Sequence, residues 1–214
     1  MIVYGASISP FVRKVLVFAA EKGIAVESKM VGLQSHDPEF RAASPFGKIP
    51  ALRDGDYTLA DSSAIVQYLE ALHPEPALIP TDPRARGEAI WWDEFADTIL
   101  VGTGGPIFAE RVVKPLFLRQ PNDPARADAL ERDELPAVLD HLEREIGDRA
   151  FLVENRFTLA DIAVASPFAN FAHAKVRREL DRHPRLHAYV DRILARPSFA
   201  GLIEREAKMI SRVA

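Results

Sequence analysis

The chain of 214 residues contains no cysteine. That absence excludes a thiol nucleophile, a disulfide relay and any thiolate metal site built from this protein alone. It also fits a reducing, cytoplasmic setting. Net charge is equally scarce: 27 basic residues against 31 acidic ones leave a formal charge of -4. Such a balance gives no electrostatic reason to expect a nucleic-acid partner. No apolar run approaches the roughly 20 residues a membrane helix requires. No basic segment precedes the first apolar residues, so a signal peptide is not expected. Histidines number six, and only His183 and His187 stand at an i, i+4 spacing. With no third ligand near in sequence, the pair reads as part of a helix opening, and no metal site is expected.

What is present is an ordinary globular balance, 48% hydrophobic and 27% charged, with ample length for a core. The first 75 residues change type repeatedly. "MIVYGA" reads as a strand and residues 10 to about 22 as a helix, with Phe11, Val15, Phe18 and Ala19 on one face and Gly23 as its stop. "IAVESKMV" reads as a second strand and "DPEFRAAS" as a short helix or turn. In "IPALRDGDYTLAD" the turn signal "DGD" predicts a hairpin pairing Ala51 and Leu52 with Tyr57 to Leu59. "SSAIVQYLEALH" is a helix that ends at Pro74. The order is β-α-β-α-β-β-α.

Four prolines in "HPEPALIPTDP" predict a linker at 76–83. Beyond it strand patterns vanish. Residues 84 to 113 read as helical with a break at "GTGGP" (102–106), and residues 123 to 147 as one helix bent at Pro136. "TLADIAVASPFANFAHA" is a buried helix, and two amphipathic helices close the chain. An α/β domain (1–75) is thus expected to precede an all-α domain (84–214).

Three segments of the first domain carry candidate chemistry. In "SISPF", Ser9 is a preferred helix cap and Pro10 stands at the first helical position. In "SPFGKIPAL", the Ile49-Pro50 pair opens a hairpin strand where proline donates nothing to the ladder. A cis bond there would turn the Ile49 backbone outward, open to an extended peptide. In "ADSSAI", Asp61 and Ser62 mark a helix start that offers free N–H groups to a carboxylate, with Asp61 placed to pair with an ammonium group. Together they describe a peptide-like ligand with a carboxylate and an amine at one end, an extended middle on a strand edge, and Ser9 near its centre.

The order of "SISPF", "FGKIPAL", "DSSAIVQYLE", a Pro-rich linker and "FTLADI" resembles the cytosolic glutathione transferase family over nearly the whole chain. "FTLADI" resembles the capping box of that family's sixth helix, with Thr158 and Asp161 as the reciprocal pair. "SPF" with "RKV" resembles the serine-type classes, such as tau and phi. The resemblance implies a thioredoxin-like domain followed by a helical-bundle domain, and the activity of a glutathione transferase that conjugates the thiolate to small hydrophobic electrophiles. It implies that Ser9 hydrogen-bonds the glutathione sulfur, Ile49 pairs with the cysteinyl backbone, and Pro50 is the cis proline. Asp61 and Ser62 would hold the γ-glutamyl end, and Lys48 and Arg41 the glycyl carboxylate. Glutathione would be the co-substrate, and a homodimer the assembly. Two positions depart from the family pattern: Asp61 stands where Glu is usual and Ser44 where Asn is common. Tyr4 and Ser7 are rivals to Ser9 for the sulfur, each with a packing or structural role as the expectation. Phe11, Thr103, Phe108 and Phe168 are candidates for a second-substrate pocket, and Trp91 and Trp92 for packing or subunit contact. The same thiolate would also serve isomerisation, dehalogenation or ether cleavage, and a non-catalytic binding or scaffold protein could share the motifs.

Overall fold

A computed structural model describes residues 1–32 and 35–213. The N-terminal elements follow the expected order: β1 (Ile2–Tyr4), α1 (Pro10–Glu21), β2 (Glu27–Lys29), α2 (Pro38–Ala43), β3 (Ala51–Asp54), β4 (Tyr57–Ala60) and α3 (Ser62–Leu72). The sheet order is β2-β1-β3-β4, with β1 and β2 parallel and the other pairs antiparallel. This is a thioredoxin-like domain, and among the described residues the named elements that follow it are all helical. Strand β2 is shorter than residues 24–31 suggested, because its ladder partner among the described residues, β1, offers three residues for pairing. The β3–β4 hairpin turns on Gly55 and Asp56, with Asp54 opposite Tyr57 and Gly55 at φ +58°. Leu52 therefore faces Leu59, and Ala51 faces Ala60, one pair beyond the expected range.

Helix α1 begins with Pro10 at its first turn and ends as Gly23 adopts φ +69°. Every side chain from Val12 to Ala19 is buried, a wider face than the expected stripe. The helix lies between the two halves of the chain: α3 packs on it from one side and α8 (Leu159–His173) and α10 (Pro197–Val213) from the other. One apolar core runs through Val15, Phe18, Ile65, Trp92, Phe95 and Val164 without dividing at the linker. The linker itself is tied down. Lys22 Nζ donates to the Pro76 carbonyl (2.7 Å), and Glu70 accepts the backbone N–H of Ile79 (3.1 Å). Leu159 N–H donates to the Leu78 carbonyl (2.8 Å).

The expected break at 102–106 does not occur. Helix α4 (Pro83–Glu94) passes into a π-helical segment (Phe95–Leu100), α5 (Val101–Phe108) and a second π-helical segment (Ala109–Leu118) with helical backbone at each junction. The glycines serve close packing instead. A Cβ on Gly104 would lie 2.2 Å from the Phe171 ring of α8. Gly104→Ala is therefore expected to destabilise: overpacking of about 1–3 kcal/mol outweighs a helix-propensity gain of about 1 kcal/mol. At Gly102 nothing lies within 4 Å of an added Cβ, so Gly102→Ala should stabilise. Urea unfolding of the two variants checks the opposite signs.

The stretch 123–147 is two helices rather than one bent helix. α6 (Pro124–Asp133) ends at Glu134, whose φ is −111°, and α7 (Leu135–Ile146) begins there. Pro136 removes a donor that a continuous helix would need, yet is harmless in the first turn of a new one. α8 starts as expected: Asp161 accepts the Thr158 backbone N–H (2.9 Å), and its other oxygen takes the Tyr189 hydroxyl (2.7 Å) from α9 (Pro184–Leu194). Nearby, His183 Nε2 meets Asp140 at 2.8 Å, the i, i+4 partner His187 lying 6.4 Å away between ring centres. Among the described residues no helix is long and apolar enough to cross a membrane.

Candidate active site at the end of the sheet

Strand register brings the three candidate segments together. Tyr4 pairs with Ala51, and Ala51 with Ala60. The chain after β1, the chain before β3 and the chain after β4 therefore share one end of the sheet, and these are "SISPF", "KIP" and "DSS". Gly5 marks the closest approach: at φ +136°, an added Cβ would sit 2.6 Å from Val12 Cγ2 and 3.1 Å from Ile49 Cβ. Only glycine allows the first turn of α1 and the Ile49 segment to meet across β1.

Ser9 occupies the cap position of α1 at φ −74°, ψ 127°, and its side chain makes no capping hydrogen bond. Its carbonyl accepts the Arg13 N–H (2.9 Å), so the backbone holds the helix start. Its half-buried hydroxyl has no partner among the described residues. The rivals are engaged elsewhere. Ser7 lies near Glu206 and helps to lower that carboxyl's pKa. Tyr4 is fully buried against Phe40 (6.0 Å between ring centres), and its hydroxyl donates to Glu39 (3.5 Å). Burial pushes the Tyr4 phenol up.

The Ile49-Pro50 bond is cis. The N–H and C=O of Ile49 pair with no backbone group among the described residues. Ser44 is buried and donates to the Lys48 carbonyl (2.7 Å), pinning the approach to Ile49. The Lys48 side chain is exposed. Arg41 is folded over Gly47 and donates through Nε to the Ser35 carbonyl (2.7 Å), so it braces this loop.

Asp61 caps α3 with one oxygen, Oδ1, which accepts from Ser63 N–H (2.9 Å) and Ala64 N–H (3.1 Å). Its backbone lies at φ +84°, a region that non-glycine residues hold only at a cost and that is concentrated at ligand sites. Ser62 is buried, and its hydroxyl reaches Asp97 (3.4 Å). Beneath these serines lies a cluster that the sequence reading passed over. Lys14 Nζ contacts both Asp93 and Asp97 at 2.6 Å and Ser63 Oγ at 3.1 Å, and Ser63 Oγ donates to Asp93 (2.7 Å). Burial pushes the Asp97 carboxyl up, although Lys14 pulls it down. The signal available in sequence was two adjacent cations, Arg13 and Lys14, inside the apolar run "FVRKVLVF".

Arg13 builds a second buried cluster. It grips Glu206 of α10 through Nε (3.2 Å) and Nη2 (2.6 Å), and both side chains are inaccessible. His173 and Arg13 hold the Glu206 carboxyl below the ordinary glutamate range against the opposing effect of burial. A lowered folded-state value means that this carboxylate stabilises fully above the unfolded value of about 4.3 and loses its contribution as pH falls through the lowered one. The difference in urea midpoint between the wild type and Glu206→Gln should be constant near neutrality and should shrink as the pH falls below the unfolded value of about 4.3.

Of the residues proposed for a second-substrate pocket, Phe108 belongs to a separate apolar cluster with Val112 and Ala174. Packed against it are Ile8, Leu116, Phe117 and Ile210. Ile8 directly precedes Ser9, so this apolar wall adjoins the serine. Phe11 and Thr103 are half-buried and neither joins that cluster. Phe168 lies away from it, in the main core against Phe171 (5.1 Å), beside a cavity of about 290 Å³ also bounded by Leu139 and His187. Ile210 is 201 residues beyond Ser9, and no local pattern connects them.

Residues 3–77 match the glutathione S-transferase N-terminal domain, and residues 123–192 the glutathione S-transferase C-terminal domain. A glutathione S-transferase of Hyoscyamus muticus is 31% identical over 209 residues, 95% of this chain and 98% of the relative. The chain belongs to the glutathione S-transferase family. Solved members superpose over nearly the whole length. A glutathione S-transferase from Rhodospirillum rubrum F11 is 27% identical with a TM-score of 0.85, covering 94% of this chain and 90% of its own. A theta-class glutathione S-transferase from Xanthomonas axonopodis pv. citri, solved with glutathione bound, is 29% identical with a TM-score of 0.81, covering 94% and 96%. Among the described residues, one sheet end thus gathers a serine hydroxyl without a partner, an Ile49 backbone with no backbone partner and the capped start of α3.

Proposed function

We propose that this protein, a glutathione transferase by family, binds glutathione along residues 1–75 and uses the Ser9 hydroxyl to hold its sulfur as a thiolate. The observation that carries the reading is the convergence of Ser9, Ile49 and Asp61-Ser62 at one end of the sheet through the Tyr4–Ala51–Ala60 register. In it, the cysteinyl unit pairs with the Ile49 backbone, the γ-glutamyl carboxylate takes the N-terminus of α3, and its ammonium faces the second oxygen of Asp61. Lys48 attracts the glycyl carboxylate from its exposed position. Arg41 assists by shaping the loop.

The second substrate is a small apolar electrophile, held by the 84–214 domain beyond the linker at 76–83. Ile8, Phe108, Leu116, Phe117 and Ile210 supply its apolar wall, with Phe11 and Thr103 at the margin. Conjugation then proceeds by attack of the thiolate on the electrophilic carbon, forming the C–S bond as the bond to the leaving group breaks (chloride, for an aryl chloride), and proximity supplies most of the acceleration. The protein is cytoplasmic in this reading and acts as a homodimer; exposed Phe46, at 88% accessibility, and half-exposed Trp91 favour a covered surface.

Retention on immobilised glutathione and conjugation of a dinitro-substituted aryl chloride test the reading. Retention with turnover is the expected result. Folded protein that shows neither would instead be a non-catalytic relative.

A further inference from the structure

Ser9 is held by more than its own helix. The carbonyls on either side of it both accept from α8: Asn170 Nδ2 donates to Ile8 O (2.7 Å), and Ser166 Oγ donates to Pro10 O (3.0 Å). Asn170 is nine-tenths buried or more, and its amide has no freedom to flip. Its Oδ1 accepts Arg13 Nη1 (2.8 Å). The reversed amide would set NH2 against a guanidinium and oxygen against a carbonyl, two repulsive contacts.

Arg13 is fixed in turn. Nη1 also donates to the Ser166 carbonyl (2.7 Å), while Nε and Nη2 close a fork on Glu206. His173 Nε2 also meets Glu206 (3.1 Å). An unbroken buried chain thus runs from α10 through α1 and α8 to the peptide groups flanking Ser9. It leaves that serine's own hydroxyl unused.

We propose that Asn170 is a positioning residue for thiol activation, which, through the Ile8 carbonyl and with Ser166 on the Pro10 carbonyl, fixes where the Ser9 hydroxyl points. The inference rests on the reading of Ser9 as the thiol contact. Its energetic logic is simple. A hydrogen bond to a developing thiolate is sensitive to distance and angle, and a misplacement of about 1 Å can cost about 100-fold in rate. A helix cap without the α8 anchors would keep α1 intact but let residues 7–9 shift. The anchors come from the helical domain, so the same helix that lies beside the second substrate's wall also sets the geometry of the first substrate's sulfur.

The test uses the full chain, glutathione, and the dinitro-substituted aryl chloride, with Asn170→Leu and Ser166→Ala. The ultraviolet absorbance of enzyme-bound thiolate is titrated against pH, and kcat and KM are measured. Asn170→Leu should raise the bound thiol's pKa and lower kcat about 3- to 10-fold, less than removal of the Ser9 hydroxyl itself, with KM for glutathione changed much less. Ser166→Ala, a smaller removal, should shift both in the same direction by a few-fold, and it decides the matter if Asn170→Leu does not fold. Wild-type pKa and kcat in the folded variants, with only a lowered melting temperature, would overturn the inference and leave Asn170 structural. The underlying reading fails separately: in that case wild type shows no thiolate band, or Ser9→Ala leaves it unchanged.

Discussion

Ser9→Ala is expected to raise the pKa of enzyme-bound glutathione by about one to two units and so to lower kcat at neutral pH by about 5- to 25-fold. The magnitude follows from the strength of the lost contact. A hydrogen bond to a charged group is worth about 1.5–3 kcal/mol, and each pKa unit corresponds to about 1.36 kcal/mol. A free thiol, with pKa about 8.5, is only a few per cent ionised at neutrality. In the proposed mechanism the serine would therefore turn a minor species into a major one without itself becoming an anion. Part of the effect should survive the substitution, because α1 is a 12-residue helix whose N-terminus would, in the proposed binding mode, still favour the thiolate. The pH–rate profile of the variant should move to higher pH, and rate at high pH should approach that of the wild type. Stability should change little, since the Ser9 side chain makes no capping bond to lose. A variant with unaltered thiolate titration and turnover would remove Ser9 from the mechanism.

Lys14→Met should have the largest effect on stability. Lys14 is the shared cation of Asp93 and Asp97, and Asp93 is as inaccessible as the lysine itself. Removing one partner of a buried ion pair typically costs about 3–5 kcal/mol, because the remaining charge is left desolvated. For a chain of this size that is roughly 6–20 °C in melting temperature. The two carboxylates would be left facing each other, and Asp97, already pushed up by burial, would take the proton. Asp97→Asn should be far milder, since it removes a charge that burial already disfavours and keeps an oxygen for Lys14 and Ser62. Both variants bear on function as well. Ser62 and Ser63 rest on this cluster, so Lys14→Met should raise KM for glutathione more than it lowers kcat. Thermal unfolding and steady-state kinetics separate the two effects.

The local signals in the sequence were strong where one segment decided its own structure. Pro10 and Gly23 bracket α1, and Thr158 with Asp161 starts α8. The turn at Gly55 places the hairpin. Each depends on backbone sterics or on bonds spanning a few residues. The reading failed where a distant partner ruled. "GTGGP" has the composition of a helix breaker, yet the helix continues because Phe171, 67 positions on from Gly104, needs the space a side chain would fill. Pro136 suggested a bend, and the chain instead starts a new helix there.

The same division holds at the site. Sequence alone determined the thioredoxin-like order, the helical second half and the three segments that resemble a glutathione site, because strand, turn and cap preferences are short-range. Only the tertiary structure decided what those segments rest on. It turned Tyr4 toward α2 and left the Ser9 hydroxyl without a partner among the described residues. It also placed Lys14 under the start of α3, and Arg13 and Asn170 behind Ser9. These are charge and hydrogen-bond requirements of buried groups. Where the partner lies 150 to 200 residues away, as Asn170 and Glu206 do from α1, no local pattern carries that information.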